Sequence, residues 1–351
     1  MTTPKIQGDN ALETFLLRGI AENVPDLAAR SAKKFRVSRQ AVNKRLRALA
    51  QRGIITAIGS TKARKYALAV VSSTRVYELS AELTEDKVWR EFARPKLEDL
   101  PENILRICQY GFTEMVNNAI DHSEGSRITC GLKRSALNIE LTVEDDGVGI
   151  FKKIKDSLNL EDERHAVLEL SKGKLTTDPA RHTGEGIFFS SRMFDTFSIL
   201  SGTLYFSHRP TDRDWLLEDA DHVAGTGVWM VIDPNSTRTT TEVMNRYSSL
   251  GDDYQFTITH VPVGLARYGA ENLVSRSQAK RLMARVEKFR EVVLDFAGVN
   301  TIGQAFADEI FRVFQQAHPS VKLRSFNTNA EVEAMIKRAI TQNDVDQLSV
   351  L

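Results

Sequence analysis

Three polar side chains on one face of a single helix constrain this chain more than any other feature of its sequence. Residues 104–121 have the apolar spacing of an amphipathic helix. Glu114 and Asn118 are four residues apart and Asp121 is seven from Glu114, so all three share one helical face. Because Glu, Asn and Asp add nothing to an apolar core, the sequence predicts that this face lines a polar site.

Glycine-rich segments follow this helix in a defined order. Two predicted strands, 127–133 and 137–143, run into Asp-Asp-Gly-Val-Gly at 145–149. His-Thr-Gly-Glu-Gly-Ile at 182–187 then stands at the start of another predicted helix, and Gly-Thr-Gly at 225–227 precedes a strand at 228–232. A tight turn after a strand would explain Gly147 and Gly149 but not Glu114 and Asn118 as well.

This order of motifs resembles the GHKL superfamily of gyrase, chaperone, histidine-kinase and mismatch-repair ATPases. The resemblance covers residues 102–235 and implies a Bergerat-type α/β sandwich that binds ATP with Mg²⁺. It also implies individual roles. Asn118 would bind Mg²⁺ through its amide oxygen, and Asp145 would accept a hydrogen bond from the adenine amino group. Glu114 would orient or deprotonate the attacking water if ATP is hydrolysed, which the sequence leaves open.

The same resemblance implies the remaining nucleotide contacts. Gly147 and Gly149 would let the backbone approach the nucleotide, and Gly184 and Gly186 would present N–H groups to phosphates at a helix N-terminus. Residues 152–181 would form a lid over the phosphates. The full set of expected cofactor contacts comprises Asn118, Asp121, Asp145, Gly147, Gly149, Lys172, Lys174, Thr183, Gly184, Gly186 and Thr226. Lys172 or Lys174 could neutralise phosphate charge, and the alternative for each is a solvated lysine of the lid. His182 stands where the family has a glycine.

The amino-terminal segment has an unusual charge pattern. Residues 28–77 contain thirteen Lys or Arg and no Asp or Glu, whereas the whole chain has a net charge of only +1. The rest of the chain therefore has a net charge of −12. Such a segment is suited to a polyanionic partner.

Helical spacing and turn residues predict a winged helix-turn-helix in residues 1–76. Helices are expected at 11–21, 26–35 and 39–52, followed by two strands, 54–57 and 66–69, around a wing. This layout resembles the winged helix-turn-helix domains of bacterial regulators. We expect it to bind double-stranded DNA through the third helix and the wing. The candidate contacts are Arg39, Gln40, Asn43, Lys44, Arg47, Lys62, Arg64 and Lys65. A solvated basic helix or a protein-contact role remains the alternative.

Two further segments complete the predicted α+β multidomain fold. Residues 77–101 are expected to form a partly helical connector, with Trp89 and Phe92 packing on a neighbouring domain. Residues 255–340 alternate strands and helices and are predicted to form a small α/β domain. The stretches 293–299 and 303–310 resemble a STAS-like domain of unknown function. Thr301 lies near the place where STAS proteins have a phosphoacceptor, but packing explains it better.

Composition narrows the functional classes. Two cysteines, Cys108 and Cys130, provide neither a disulfide framework nor a metal cluster, and no apolar run approaches membrane-spanning length. We therefore expect a cytoplasmic protein without a membrane partner. A homodimer is a candidate state, since winged-helix regulators commonly pair, and the STAS-like domain is a candidate surface for a protein partner.

Three functions follow from these features. The first is a nucleotide-gated, DNA-binding transcriptional regulator. The second is an anti-sigma-type serine/threonine kinase acting on a STAS-like domain or partner. A histidine kinase is disfavoured, because the first histidine of the chain is His122, after Glu114. The third is a scaffold that binds ATP for stability alone.

Overall fold

The computed structural model describes residues 4–59, 64–175, 183–210, 214–248, 255–267 and 271–348. The chain divides into two compact units. The first comprises Met1–Thr74, Gly131–Leu141 and Ile232–Ser236, and the second comprises Arg75–Cys130, Thr142–Val231 and Thr237–Leu351. Within the described ranges, no helix combines the length and apolar character needed to cross a membrane.

Three helices and a two-stranded hairpin make up the amino-terminal part of the first unit. They are α1 (Pro4–Ala21), α2 (Leu27–Phe35), α3 (Arg39–Gln51), β1 (Ile55–Ile58) and β2 (Lys65–Leu68). Ser38 caps α3 by accepting a hydrogen bond from the Ala41 amide at 3.1 Å. Strands β1 and β2 pair antiparallel, with Ile55 opposite Leu68.

An apolar core holds these elements together. Leu16 from α1, and Leu46 and Leu49 from α3, are buried in it. Ala136 and Leu137 also pack against this core. Residues 131–141 and 232–235, which lie within the ATP-binding segment expected over residues 102–235, are grouped with the first unit.

A five-stranded sheet forms the framework of the central part of the chain. Its strand order is β3-β4-β5-β7-β6, and β6 and β7 form a long antiparallel hairpin. The strands are β3 (Val71–Glu78), β4 (Arg127–Arg134), β5 (Ile139–Asp145), β6 (Thr196–His208) and β7 (Trp215–Ile232). Neither β3 nor β6 is predicted by the sequence patterns.

Helices accompany this sheet in the second unit. They are α4 (Glu85–Val88), α5 (Glu102–His122), α6 (Ile150–Leu158), α7 (Glu163–Lys172), α8 (Gly186–Met193) and α9 (Thr240–Arg246). A π-helical turn, Trp89–Ala93, follows α4. The rings of Trp89 and Phe92 lie 5.9 and 6.2 Å from that of Phe112 on α5. The expected connector therefore packs directly against α5.

The carboxy-terminal part of the second unit is a small α/β layer. Its parallel sheet has the order β10-β9-β8, formed by β8 (Ile258–Pro262), β9 (Glu291–Asp295) and β10 (Lys322–Phe326). The helices are α10 (Arg276–Met283), α11 (Gln304–Asp308), α12 (Gln315–Ala317) and α13 (Ala330–Leu348), with the π-helical segment Glu309–Phe314 joining α11 to α12. The strand–helix alternation expected for residues 255–340 is present.

Candidate nucleotide site

A cavity of about 400 Å³ lies in the second unit, against α5 and the start of α8. Its volume falls within the roughly 300–1,000 Å³ of small-molecule sites. The structure brings eight of the expected residues to its wall, namely Glu114, Asn118, Asp145, Gly149, Thr183, Gly184, Gly186 and Thr226.

Helix α5 supplies one wall through side chains spaced four residues apart. Tyr110, Glu114, Asn118 and His122 line the cavity in succession. Such a row follows one ridge of an α-helix. Asp121 does not belong to this row, and it is exposed and outside the cavity lining. The structure therefore does not bring Asp121 to the cavity, and the wall continues through His122.

Asp145, the last residue of β5, also lines the cavity. Its Oδ1 accepts hydrogen bonds from the Gly147 amide at 2.9 Å and the Thr226 amide at 3.2 Å. The Thr226 hydroxyl in turn accepts a bond from the Ile150 amide at 3.0 Å. Burial raises the pKa of Asp145 in spite of these bonds. The loop after β5 and Thr226 in the second half of β7 are thus held together around one carboxylate.

Helix α8 begins at the cavity, where its first residue, Gly186, lies against the carboxylate of Glu114. A Cβ on Gly186 would stand 1.9 Å from Glu114 Oε2, so a larger residue would displace that carboxylate. Gly184, just before the helix, has a positive φ of 71°. Unsatisfied N–H groups and the helix dipole make this end of α8 suitable for an anion.

The cavity combines carboxylates with one lysine. Burial raises the pKa of Glu185. Burial and the negative charges of Glu114 and Glu185 together raise the pKa of Tyr110. Lys153 also lines the cavity, and its Nζ donates to the His122 carbonyl at 2.7 Å and to Glu124 Oε1 at 2.8 Å. The amine of Lys153 is therefore held at the rim by α5 and the residues that follow it.

The donor set fits Mg²⁺ that is held jointly with nucleotide phosphates. Asn118 offers a neutral amide oxygen, a ligand type that Mg²⁺ accepts beside phosphate oxygens and waters. Nowhere in the described ranges do three or more His, Cys, Asp or Glu side chains form a group that could hold a metal by themselves. A metal at Asn118 would consequently depend on phosphate oxygens for most of its ligands.

Comparison with protein families agrees with this geometry. Residues 105–235 match the family of histidine kinase-, DNA gyrase B-, and HSP90-like ATPases. Residues 105–235 form a GHKL-type ATPase domain. Residues 278–333 match the STAS-like domain of unknown function, which confirms the STAS-like interpretation of the carboxy-terminal segment. No curated protein matches the chain.

Lys172, an expected phosphate contact, does not line the cavity of the ATPase domain. Lys172 is buried at the end of α7, and its Nζ bonds Glu169 Oε1 at 2.7 Å. The same amine donates to the carbonyl oxygens of Arg281 and Ala284, in and just after α10, at 3.0 and 2.8 Å. The expected phosphate contact is corrected, since Lys172 instead ties α7 to the STAS-like domain.

Two other expected contacts also lie elsewhere. Lys174 Nζ lies 4.9 Å from the ring centroid of Phe289 in the STAS-like domain, and burial lowers the pKa of Lys174. Gly147 is not in the cavity lining, and a Cβ there would lie 2.0 Å from the Ser123 carbonyl oxygen. Gly147 thus allows the loop to approach Ser123, the residue that follows α5.

Sequence patterns did not reveal Tyr110 and Lys153 as lining residues. Tyr110 could have been found by extending the four-residue spacing of Glu114 and Asn118 back by one turn. Lys153 could have been found as a first-turn residue of the helix after Gly149. The expected lid lies partly outside the described residues, since positions 176–182, including His182, are not among them.

The first unit presents a basic polar face on α3. Arg39, Gln40, Asn43, Lys44 and Arg47 are all exposed, as are Arg64 and Lys65 beside the hairpin. Lys62 lies outside the described residues. Glu13 on α1 pairs with Arg45 at 3.1 Å and Arg52 at 3.3 Å, so these two arginines are partly neutralised. The exposed cations Arg39, Lys44 and Arg47 are on α3, the helix expected to meet DNA.

Proposed function

We propose that the chain is a nucleotide-gated, DNA-binding transcriptional regulator of the cytoplasm. One observation carries the proposal, namely the joining of an ATPase domain that has a formed nucleotide cavity to a segment whose third helix exposes an acid-free basic face. The amino-terminal unit serves as a winged helix-turn-helix, and Mg-ATP in the cavity sets its affinity for double-stranded DNA.

The DNA-binding half rests on the exposed side of α3. Asn43 and Arg47 are four residues apart and exposed, while Val42, Leu46 and Leu49 are buried beneath them. Asn and Arg can form bidentate hydrogen bonds with adenine and guanine edges in the major groove. Arg64 and Lys65 meet phosphates, which position the protein without specifying sequence. Two copies bound side by side would read a two-fold symmetric operator.

The nucleotide half assigns a role to each wall of the cavity. Asn118 and the phosphates hold Mg²⁺, which supplies charge neutralisation when it is bound. Asp145 receives the adenine amino group, because its carboxylate lines the cavity and is oriented by the amides of Gly147 and Thr226. Glu114, beside the start of α8, orients a water molecule for slow hydrolysis.

The experiment for the DNA half is a titration of labelled duplex from the chain's own upstream region at one stated salt concentration. Arg47→Ala should weaken binding by about 1–3 kcal/mol if Arg47 contacts a guanine edge. A scrambled duplex of equal length serves as the control, and it should bind parent and variant alike. Equal affinity of parent and Arg47→Ala for the upstream duplex would remove α3 from the DNA interface.

The kinase alternative is separated by following the γ-phosphate. Label released only to water agrees with the regulator, whereas label on this chain or on a STAS-like partner would favour protein phosphorylation. Thr301, exposed before α11, is the residue to examine in that case.

A further inference from the structure

A second and larger cavity lies within the second unit, between the ATPase domain and the STAS-like domain. Its volume is about 1020 Å³, against about 400 Å³ for the nucleotide cavity. Its lining residues run from Arg164 on α7 to Asn327 after β10. A space of this size accommodates a nucleotide-sized ligand.

Arginines dominate the charge of this cavity. Five of them line it, Arg164, Arg192, Arg209, Arg246 and Arg267, against two acidic residues, Asp214 and Asp295. Guanidinium groups bind phosphate in a bidentate manner and remain charged at any physiological pH. A wall with this excess of guanidinium groups favours a ligand with several negative charges.

The two carboxylates of the cavity already have partners of their own. Asp214 Oδ1 lies 2.6 Å from His208 Nδ1. Asp295 Oδ1 accepts bonds from the Ala297 amide and the Asn327 side chain, both at 2.9 Å. Burial, together with the charge of Arg192, lowers the pKa of His260 to about 4, so this lining histidine is neutral at pH 7. The positive charge of the wall therefore comes from its arginines, of which Arg164 is paired with Glu218 at 3.3 Å.

Arg192 is the most deeply buried of these arginines. It is 8% exposed, and it donates to the Ser191 hydroxyl at 2.6 Å and the Ser171 carbonyl at 3.4 Å, which are both neutral groups. Its Nε has no hydrogen-bond partner among the described residues. Burying a cation without an anionic partner is costly. An anion in the cavity would reduce that cost.

Aromatic rings line the same space. Trp215 and Phe326 are 37% and 55% exposed although they are large and apolar. Exposed rings beside arginines are suited to stacking on a flat heterocycle. The two features together, guanidinium groups and accessible rings, match the two parts of a nucleotide.

We propose that this second cavity binds a phosphorylated small molecule of nucleotide size, with its phosphate on the arginines and its ring against Trp215 and Phe326. The ligand is distinct from the ATP of the first cavity and is bound at a separate place in the chain. The site does not depend on the DNA-binding role, so the two proposals can fail separately.

The test uses the full-length protein without added ATP, because ATP is itself a phosphorylated molecule of nucleotide size and would compete for the second cavity. Calorimetric titrations employ four probes, which are UMP, GMP, inorganic phosphate and uridine. We expect UMP or GMP to bind, and we expect phosphate or uridine alone to bind more weakly, because each provides half of the ligand. Absence of binding by both nucleotides at millimolar concentration overturns the proposal.

Substitution then locates the bound probe. Arg209 and Arg246 are exposed, so the double variant Arg209→Gln, Arg246→Gln should fold like the parent. It should raise the Kd of the nucleotide probe about tenfold or more, because it removes two cations that would pair with the phosphate. The matched control Arg338→Gln, an exposed arginine on α13, should leave the Kd unchanged. Equal Kd values in parent and double variant would place the probe elsewhere and overturn the assignment.

Discussion

The two cavities of the second unit differ in the chemistry of their walls. The first is lined by carboxylates, amides and glycines, with Lys153 at its rim, whereas the second is lined by five arginines and exposed rings. A wall of carboxylates and amides can receive a nucleotide only with help from a metal and a helix N-terminus. A wall of guanidinium groups can bind a phosphate directly.

The same two helices border both cavities. On α7, Leu170 lines the first cavity and Arg164 the second. On α8, Gly186 lines the first and Arg192 the second. A shift of α7 or α8 that accompanies binding in one cavity would therefore also move lining residues of the other cavity. The difference between the walls allows two ligands to be distinguished, and the shared helices allow them to influence each other.

The largest expected effect tests the first wall. Asn118→Ala removes the amide oxygen that would bind Mg²⁺, and Mg-ATP binding should be abolished in calorimetry. Gln109→Ala is the matched control, because it removes an exposed amide from the same helix outside the cavity. Unchanged affinity for Mg-ATP in Asn118→Ala would contradict the site assignment.

The second prediction concerns Lys172, which the sequence predicted as a phosphate contact. Lys172→Met leaves Glu169, 2% exposed, without its closest cation. We expect a loss of roughly 3 kcal/mol in the free energy of unfolding, measured by denaturant titration, because a buried pair is broken.

The double variant Glu169→Gln, Lys172→Met should recover much of that loss, since no buried carboxylate remains. If Lys172 contacted phosphate instead, Lys172→Met would weaken ATP binding and barely change stability. That result would return Lys172 to the nucleotide cavity.

A smaller effect should connect the two cavities. Saturating the second cavity with the UMP or GMP probe should change the Kd for Mg-ATP by about fivefold or more, equivalent to 1–3 kcal/mol of coupling. Mg-ATP should change the Kd of the probe by the same factor, because linkage is reciprocal. Arg209→Gln, Arg246→Gln should remove the effect, and independence of the two Kd values in the parent would show that the shared helices transmit nothing.

The last prediction concerns a pH dependence within the second cavity. Burial and Arg192 lower the pKa of His260 to about 4, below its usual 6.5. The unfolded chain therefore binds this proton first, and the stability due to neutral His260 is present above pH 6.5 and lost as the pH falls towards 4. His260→Gln should flatten the decline in the denaturant midpoint over that range, and an unchanged decline would show that other groups cause it.

The contrast between the cavities also explains what the sequence could predict. Glu114 and Asn118 lie on one helix, and Asp145 and Gly149 in one turn, so their proximity follows from local geometry. Arg164, Arg246 and Arg267 come from separate segments and meet only after the chain has folded. No local pattern predicts such a site.

The same dependence on the folded chain explains why Lys172 and Asp121 do not line the first cavity as expected. Helical spacing predicts on which face of α7 Lys172 lies. It does not predict that Lys172 meets the carbonyl of Arg281, which is more than 100 positions further along the chain. Asp121 is seven residues from Glu114 and was expected on the same helical face. The row of α5 residues spaced four apart that lines the cavity ends instead at His122. Strand β3 was missed because its edge position shows little burial alternation. Glu13, outside the acid-free stretch, pairs with two of its arginines.

The most direct test of the account is the affinity for the upstream duplex, measured with and without Mg-ATP at one salt concentration, in the parent and in Asn118→Ala. We predict that Mg-ATP shifts the Kd for DNA in the parent and leaves it unchanged in the variant. Equal Kd values for the parent with and without Mg-ATP would contradict nucleotide gating, and the ATPase domain would then serve a purpose other than control of DNA binding.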